Sequence, residues 1–309
     1  LNYIGENMNS QPLTILLYHG VTTQKQNGIK NYSNKHLKIS EFIRQMDYVH
    51  KNFNVISMDE VVYLRSNNLG WPKNTVVITF DDGFRNNYQN AAPILSEYGL
   101  PATFYVCSGM INTTLMFWVD VIEACIDQTE KKEIKLTLSE PKIYCLRSKR
   151  NKIQTIQEIK TFCKNNSAIV KDQLISNLIL ETDVAPSTNY SEDYCMMTWK
   201  QLLELKQHEL FTVGGHTLYH DIMSAQNCQK LEMDICGTIN LLDLNLDQKT
   251  IHFSYPEGQR NHYNASVIAM LKKHGIVSSP SAIDGVNFDE DLFNLKRIMP
   301  SFMGRSFPI

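Results

Sequence analysis

The feature that most constrains this chain is an alternation of short, β-branched apolar runs with longer segments of helical periodicity. TILLY, VVITF and ATFYV are strand-sized and almost continuously apolar, as strands are when a parallel sheet is covered on both faces. The pattern predicts strands at 14–18, 76–80, 102–106, 211–214, 251–255 and 276–278. Helices are expected over 40–51, where Phe42, Ile43, Met46 and Val49 recur at helical spacing, over 199–208, and from about 228 to 244. Another is expected over 87–98, with Gly99 just past its end and Pro101 beyond. Strands alternating with helices in this way place the chain in the α/β class.

Residues 112–194 break the alternation. An amphipathic segment at 117–126 leads into the lysine-rich KKEIKLTLSEPKIYCLRSKRNK, then a helical stretch over 153–180 and the polar TDVAPSTNYSED. The expected organisation is a single catalytic domain over 1–309 with a mainly helical insertion at about 112–194. A solvated embellishment is the first reading of that insertion; a lid or a partner surface is the other.

Several classes are excluded. Hydrophobic residues at 43% and charged residues at 20% rule out disorder and fibrous repeats. Thirty basic against 32 acidic residues, a net charge of -2, argue against a dedicated nucleic-acid binder. No apolar run approaches the roughly 20 residues of a membrane-spanning helix, so no transmembrane segment is expected. Seven scattered cysteines without a C-x-x-C pair read as reduced thiols rather than a disulfide framework or a zinc ribbon. The opening LNYIGENMNS lacks a basic region followed by an apolar one, which favours a cytoplasmic protein. Leu1 is not a start Met, so a removed leader stays open. Oligomeric state has no signature.

Three polar segments follow predicted strands. In Thr79-Phe80-Asp81-Asp82-Gly83, two adjacent carboxylates repel unless a cation or proton separates them. The carboxyl ends of parallel strands are where catalytic residues sit, although Asp-Gly is also ordinary turn chemistry. In Gly214-Gly215-His216-Thr217-Leu218-Tyr219-His220, histidines four apart can converge on one metal; alone, such a pair is more often structural. The third segment, FSYPEG, says only that the chain turns. One carboxylate plus two histidines make a three-ligand site with open positions, and a second carboxylate can act as general base. Zinc in such a site lowers the pKa of a bound water from about 15.7 towards 7 and polarises a carbonyl, which suits amide or ester hydrolysis. Non-haem iron oxygenases use the same donor types but place the carboxylate close after the first histidine, where this chain has Thr217 and Leu218.

The ordered strings TFDDGFRNNYQNAAPILSEYGLPATFYV, GGHTLYH and FSYPEG closely resemble the NodB-homology polysaccharide deacetylases, from Leu16 to about Gly258. The resemblance implies a distorted (β/α) barrel with fewer than eight regular units. It also implies metal-dependent removal of an N-acetyl group from an amino sugar, with an N-acetylated sugar or oligosaccharide as substrate. Carried over by position, Asp81 is the general base, and Asp82, His216 and His220 hold one divalent metal ion. Zinc is the default by ligand type; cobalt, nickel or iron fit the same ligands.

Two departures from the family pattern stand out. The usual third motif is R-x-P-Y-G, and alignment on Pro256 and Gly258 puts Ser254 at the Arg position and Glu257 at the Tyr position. A backbone donor survives a change of side chain, so Glu257 can still serve an oxyanion. Arg297, in LKRIMP, is the candidate to supply the missing charge beside Asp81. The second departure is the general acid, since no histidine follows His274. Leu17-Tyr18-His19-Gly20-Val21 resembles a branch, with biofilm-polysaccharide deacetylases as members, in which an early Tyr-His motif supplies the acid; His19 is therefore expected to protonate the leaving amine. His252 and His262 are weaker candidates, and His36, His50, His208 and His274 read as surface positions. Phe117, Trp118 and Tyr255 read as packing. Asp221 either orients a metal ligand or sits at a helix N-terminus. Two alternatives remain: a deformylase or O-deacetylase on the same site, and a non-catalytic glycan-binding protein.

Overall fold

The computed structural model describes residues 11–25 and 27–307; the LNYIGENMNS segment lies outside the described residues. β1 (Leu13–Tyr18), β2 (Gly20–Thr22) and β3 (His36–Lys38) precede α1 (Ile39–Asn52). β4 (Asn54–Val55), α2 (Met58–Ser66), β5 (Thr75–Phe80), α3 (Ala92–Glu97) and β6 (Ala102–Val106) follow. The middle segment holds α4 (Trp118–Gln128), the antiparallel hairpin β7 (Glu133–Thr137) and β8 (Pro141–Cys145), α5 (Lys149–Lys164) and α6 (Ala168–Thr182). α7 (Trp199–Gln207), β9 (Phe211–Gly215), α8 (Cys228–Leu246) and α9 (Ala265–Lys273) complete the order.

The fold is mixed α/β around a parallel sheet of order β1-β5-β6-β9, with β4 also pairing β5. β5 and β6 are buried along their whole length, which explains why their sequences are apolar without alternation. Phe80 stacks between Tyr18 and Phe104, with ring centroids 5.4 and 5.0 Å away. Burying such a ring is worth about 1.5–3 kcal/mol, so the strand carrying the TFDDG motif is anchored by the core beneath it.

Beyond β9 the expected strands at 251–255 and 276–278 reduce to single parallel bridges, Gly215 to Phe253 and His252 to Ser278. Pro256 and Pro280 lie just past these bridges and have no N–H to extend a ladder. Backbone hydrogen bonds nevertheless continue, from Ser281 to Leu295, Arg297 to Ile283 and Ile298 to Ile15, and so return to β1.

The helix expected over 87–98 divides into a π-helical turn, Asn87–Ala91, and α3, whose first turn contains Pro93. Gly99 follows with φ +67°, the left-handed conformation of a helix-terminating glycine. α7 starts with a capping box in which Thr198 and Gln201 satisfy each other's backbone N–H groups.

The middle segment has an apolar cluster of its own, built from Trp118, Ile122, Ile134, Tyr144, Ile156 and Leu178 among others. Its hairpin was not expected, although EIKLT does alternate: Ile134 and Leu136 point inward between exposed neighbours. Among the described residues, no helix is long and apolar enough to cross a membrane. All seven cysteines are unpaired.

Candidate active site

The strand ends β1, β5 and β9 deliver the polar residues to one cleft of about 380 Å³, within the usual range for small-molecule sites. Asp81 directly follows β5, and its N–H donates to the Tyr18 carbonyl at 2.9 Å. Arg297 Nη1 and Nη2 donate to its two carboxylate oxygens at 2.8 and 2.7 Å, the bidentate fork that fixes a carboxylate most firmly. Arg297 is 1% exposed, and its Nε donates to the Ser281 carbonyl at 2.6 Å. The Ser254 hydroxyl gives Asp81 a further bond at 3.2 Å. Burial pushes the Asp81 carboxyl up, but Arg297 and His216 outweigh it and hold the pKa at about 2.

Asp82 is turned the other way by an unusual backbone, with φ +80°. Burial, opposed by Lys35 and reinforced by Asp81, pushes its pKa up to about 8. Its Oδ1 is buried without a hydrogen-bond partner, 3.4 Å from His220 Nε2 and 3.7 Å from His216 Nε2. Positive φ recurs at Thr217, His220 and Glu257. Backbone strain of this kind persists where the surrounding structure over-determines it, commonly at functional sites.

His216 sits at the end of β9, with Nδ1 2.9 Å from the Ser254 carbonyl and 2.6 Å from its hydroxyl. A carbonyl can only accept, so Nδ1 carries the proton and Nε2 presents its lone pair to the site. Burial lowers the pKa of His216 and takes that of His220 down to about 3, keeping both rings neutral, as ligands must be. Donor atoms of Asp82, His216 and His220 all lie within 4.8 Å of one another, and all three residues are buried. A converging, partly orphaned carboxylate with two neutral imidazoles fits a divalent cation.

His19 lines the same cleft, where burial takes its pKa down to about 3, so it is an unprotonated imidazole at neutral pH. Glu257 occupies the turn after Phe253, and its N–H has no hydrogen-bond partner among the described residues. The turn requires Gly258, whose φ is +52° and whose Cβ would lie 2.4 Å from the Ala282 nitrogen. The Glu257 carboxylate pairs with Lys164 of α5, which helps hold its pKa at about 2 against burial.

The remaining histidines divide differently from the sequence expectation. His36 is 0% exposed rather than a surface residue, because β3 pairs with β2 and turns the ring onto Phe84 at 4.7 Å. His252 is held between Ser278 and Asp59, away from the cleft lining. Asp221 neither orients a ligand nor caps a helix; it pairs with Lys171 and Lys230. Tyr255 is packed, with its hydroxyl donating to the Phe293 carbonyl. Sequence reading missed the opposite wall, where α4 and α5 present Asp120, Glu123, Lys160 and Lys164, and Lys35 joins them from the loop before β3. The one available signal was Asp120 and Glu123 within the otherwise apolar stretch of 117–126.

Comparison with known proteins identifies the family and the fold. A Staphylococcus aureus protein named poly-beta-1,6-N-acetyl-D-glucosamine N-deacetylase is 32% identical over 108 residues, 35% of this chain and 33% of its own length. The match therefore spans about a third of that relative. The Streptococcus pyogenes deacetylase PplD, solved with acetate, superposes with a TM-score of 0.61 at 19% identity, over 96% of this chain and 94% of that one. IcaB from Ammonifex degensii gives 0.61 at 17% identity, over 95% and 93%. At such identities these two structures share the fold. The sequence model for polysaccharide deacetylases matches residues 70–278, more than half of the chain. With that match enclosing Asp81, Asp82, His216 and His220, the chain belongs to the polysaccharide deacetylase family.

Proposed function

We propose that this chain is a metal-dependent hydrolase that removes an N-acetyl group from an amino sugar in a saccharide or glycan precursor. The observation that carries the reading is the juxtaposition, in one cleft, of an Arg297-clamped Asp81 with the converging Asp82, His216 and His220. We treat 1–309 as one catalytic domain in which 112–194 is an insertion, and the seven unpaired cysteines support a reducing compartment such as the cytoplasm.

Asp82, His216 and His220 would hold the divalent ion, zinc by donor type. When bound, it supplies an electrophile for the acyl oxygen and acidifies water. Asp81, ionised and aimed by Arg297 and Ser254, accepts a proton from the attacking water. The Glu257 N–H, free of a hydrogen-bond partner among the described residues, would receive the negative charge that develops on the acyl oxygen. His19, neutral at pH 7, would pass on to the leaving nitrogen the proton that the water gives up to Asp81, so acetate and a free amine result and Asp81 is again ionised.

Acetate release from a β-1,6-linked N-acetylglucosamine tetramer tests the reading. Release should stop after chelation, return with zinc or cobalt, and stay absent in His216→Ala. Release of formate or of ester-borne acetate alone, from matched analogues, would move the reading to a deformylase or O-deacetylase. Tetramer binding without any release would leave a glycan-binding protein.

A further inference from the structure

The wall contributed by α4 and α5 carries polar groups that the chemistry above does not use. Asp120 is 2% exposed. Its Oδ1 pairs with Lys35 Nζ at 2.6 Å, while its Oδ2 is buried with no hydrogen-bond partner. Glu123 beside it is already engaged, accepting from the Tyr194 hydroxyl and from the Asn31 N–H. Lys160, one face along α5, has no hydrogen-bond or ion-pair partner for its amine among the described residues; the amine lies 5.4 Å from the Tyr32 ring centroid. All of these residues line the cleft that contains Asp81 and Asp82.

A buried acceptor without a donor is costly, and so is a desolvated ammonium without an acceptor. On this wall the cleft presents such an acceptor at Asp120 Oδ2 and, on a half-buried side chain, the unpaired amine of Lys160. An anionic ligand would satisfy Lys160 but meet the carboxylates of Asp120 and Glu123. A cationic ligand would meet Lys35 and Lys160. A neutral hydroxyl both donates and accepts, so two hydroxyls on adjacent ring carbons answer both groups: one donates to Asp120 Oδ2 and the other accepts from Lys160.

We propose that Asp120 and Lys160 are specificity-determining residues that hold the hydroxyl groups of a neutral sugar ring beside the reacting amide. The inference rests on the sugar-amide reading of the site and adds to it which wall recognises the sugar. It also gives the middle segment a role in substrate choice rather than in chemistry.

The test is steady-state kinetics on the zinc-loaded full chain with the β-1,6-linked N-acetylglucosamine tetramer, comparing wild type with Lys160→Met and Asp120→Asn. Lys160→Met keeps the packed stem, so it remains informative if Asp120→Asn, which loosens Lys35, folds poorly. The expected result is a KM raised about 10- to 100-fold, as for loss of a hydrogen bond to a charged group. Turnover should stay within about threefold, because uniform binding is what is lost, and zinc content should not change. An unchanged KM in folded Lys160→Met, or a fall confined to kcat, overturns the proposal. If wild type releases no acetate, the hydrolase reading fails, and calorimetry of the same tetramer decides the inference separately. Binding at least about 10-fold weaker to Lys160→Met supports it; equal binding, or none to wild type, overturns it.

Discussion

The two walls of the cleft are built on opposite principles. On one, strand ends at β1, β5 and β9 hold His19, Asp81, Asp82, His216 and His220 on tightly hydrogen-bonded and partly strained backbone. On the other, two helices of the middle segment present Asp120, Lys160 and Lys164 on regular backbone, with ion pairs steadying Asp120 and Lys164. The strand-end wall cannot shift without unpacking the core under Phe80, whereas the helical wall rests on its own apolar cluster. Precise chemistry is thus fixed by the sheet, and the helical wall is left to tune what enters.

Substitutions should separate the walls, and the strand-end wall should show the larger effects. Asp81→Asn is expected to cost about 10²- to 10⁴-fold in kcat, the usual worth of a general base, without loss of metal; parallel kcat and metal-content measurements check this. Arg297→Met leaves Asp81 as a buried, unpaired charge and should destabilise the fold by about 3–5 kcal/mol, read from denaturant unfolding. Lysine at that position should recover little, because it cannot form the fork. Ser254→Ala removes the hydroxyl beside His216 Nδ1 and should weaken zinc binding about 10- to 100-fold, measured by competition with a chelator.

The pH dependence follows from Asp82. Its folded pKa of about 8 lies above the ordinary carboxylate value, so the metal-free protein keeps that group's stabilisation below about pH 4 and loses it as the pH rises towards 8. The buried neutral histidines His19, His216 and His220 act in the opposite direction, so the Asp82 effect is read as a difference: thermal unfolding of the metal-free proteins should show Asp82→Asn gaining stability relative to wild type between pH 5 and pH 8. Zinc uptake near pH 7 should release a proton, which calorimetry in buffers of different ionisation enthalpy detects. The smallest effect is expected on the helical wall. Lys164→Met breaks a partly exposed pair with Glu257 and should change stability by no more than about 1 kcal/mol in thermal unfolding.

The same contrast explains what could be read from the sequence. β1, β5, β6 and β9 were legible because near-complete burial leaves mostly apolar runs, and the polar residues that directly follow β5 and β9, Asp81, Asp82 and His216, therefore stand out. α1 and α7 were legible from their spacing. α2 was not, since only Met58 and Val61 face the core and the remainder looks like solvated chain. Arg297 was recognisable only as a candidate, because its position against Asp81 depends on the irregular return of 281–298 to β1. The helical wall was illegible for a similar reason. Lysines and acids on a helix look alike whether they face water or a cleft, and nothing local records that α5 lies across from Glu257.

The most direct test of this division is a zinc titration of the metal-free protein by calorimetry. Wild type, Lys160→Met and Lys164→Met should each bind about one equivalent with similar affinity, and His216→Ala and Asp82→Ala should bind none tightly. Wild type that binds no metal, or helical-wall variants that lose it as completely as His216→Ala, would contradict the account.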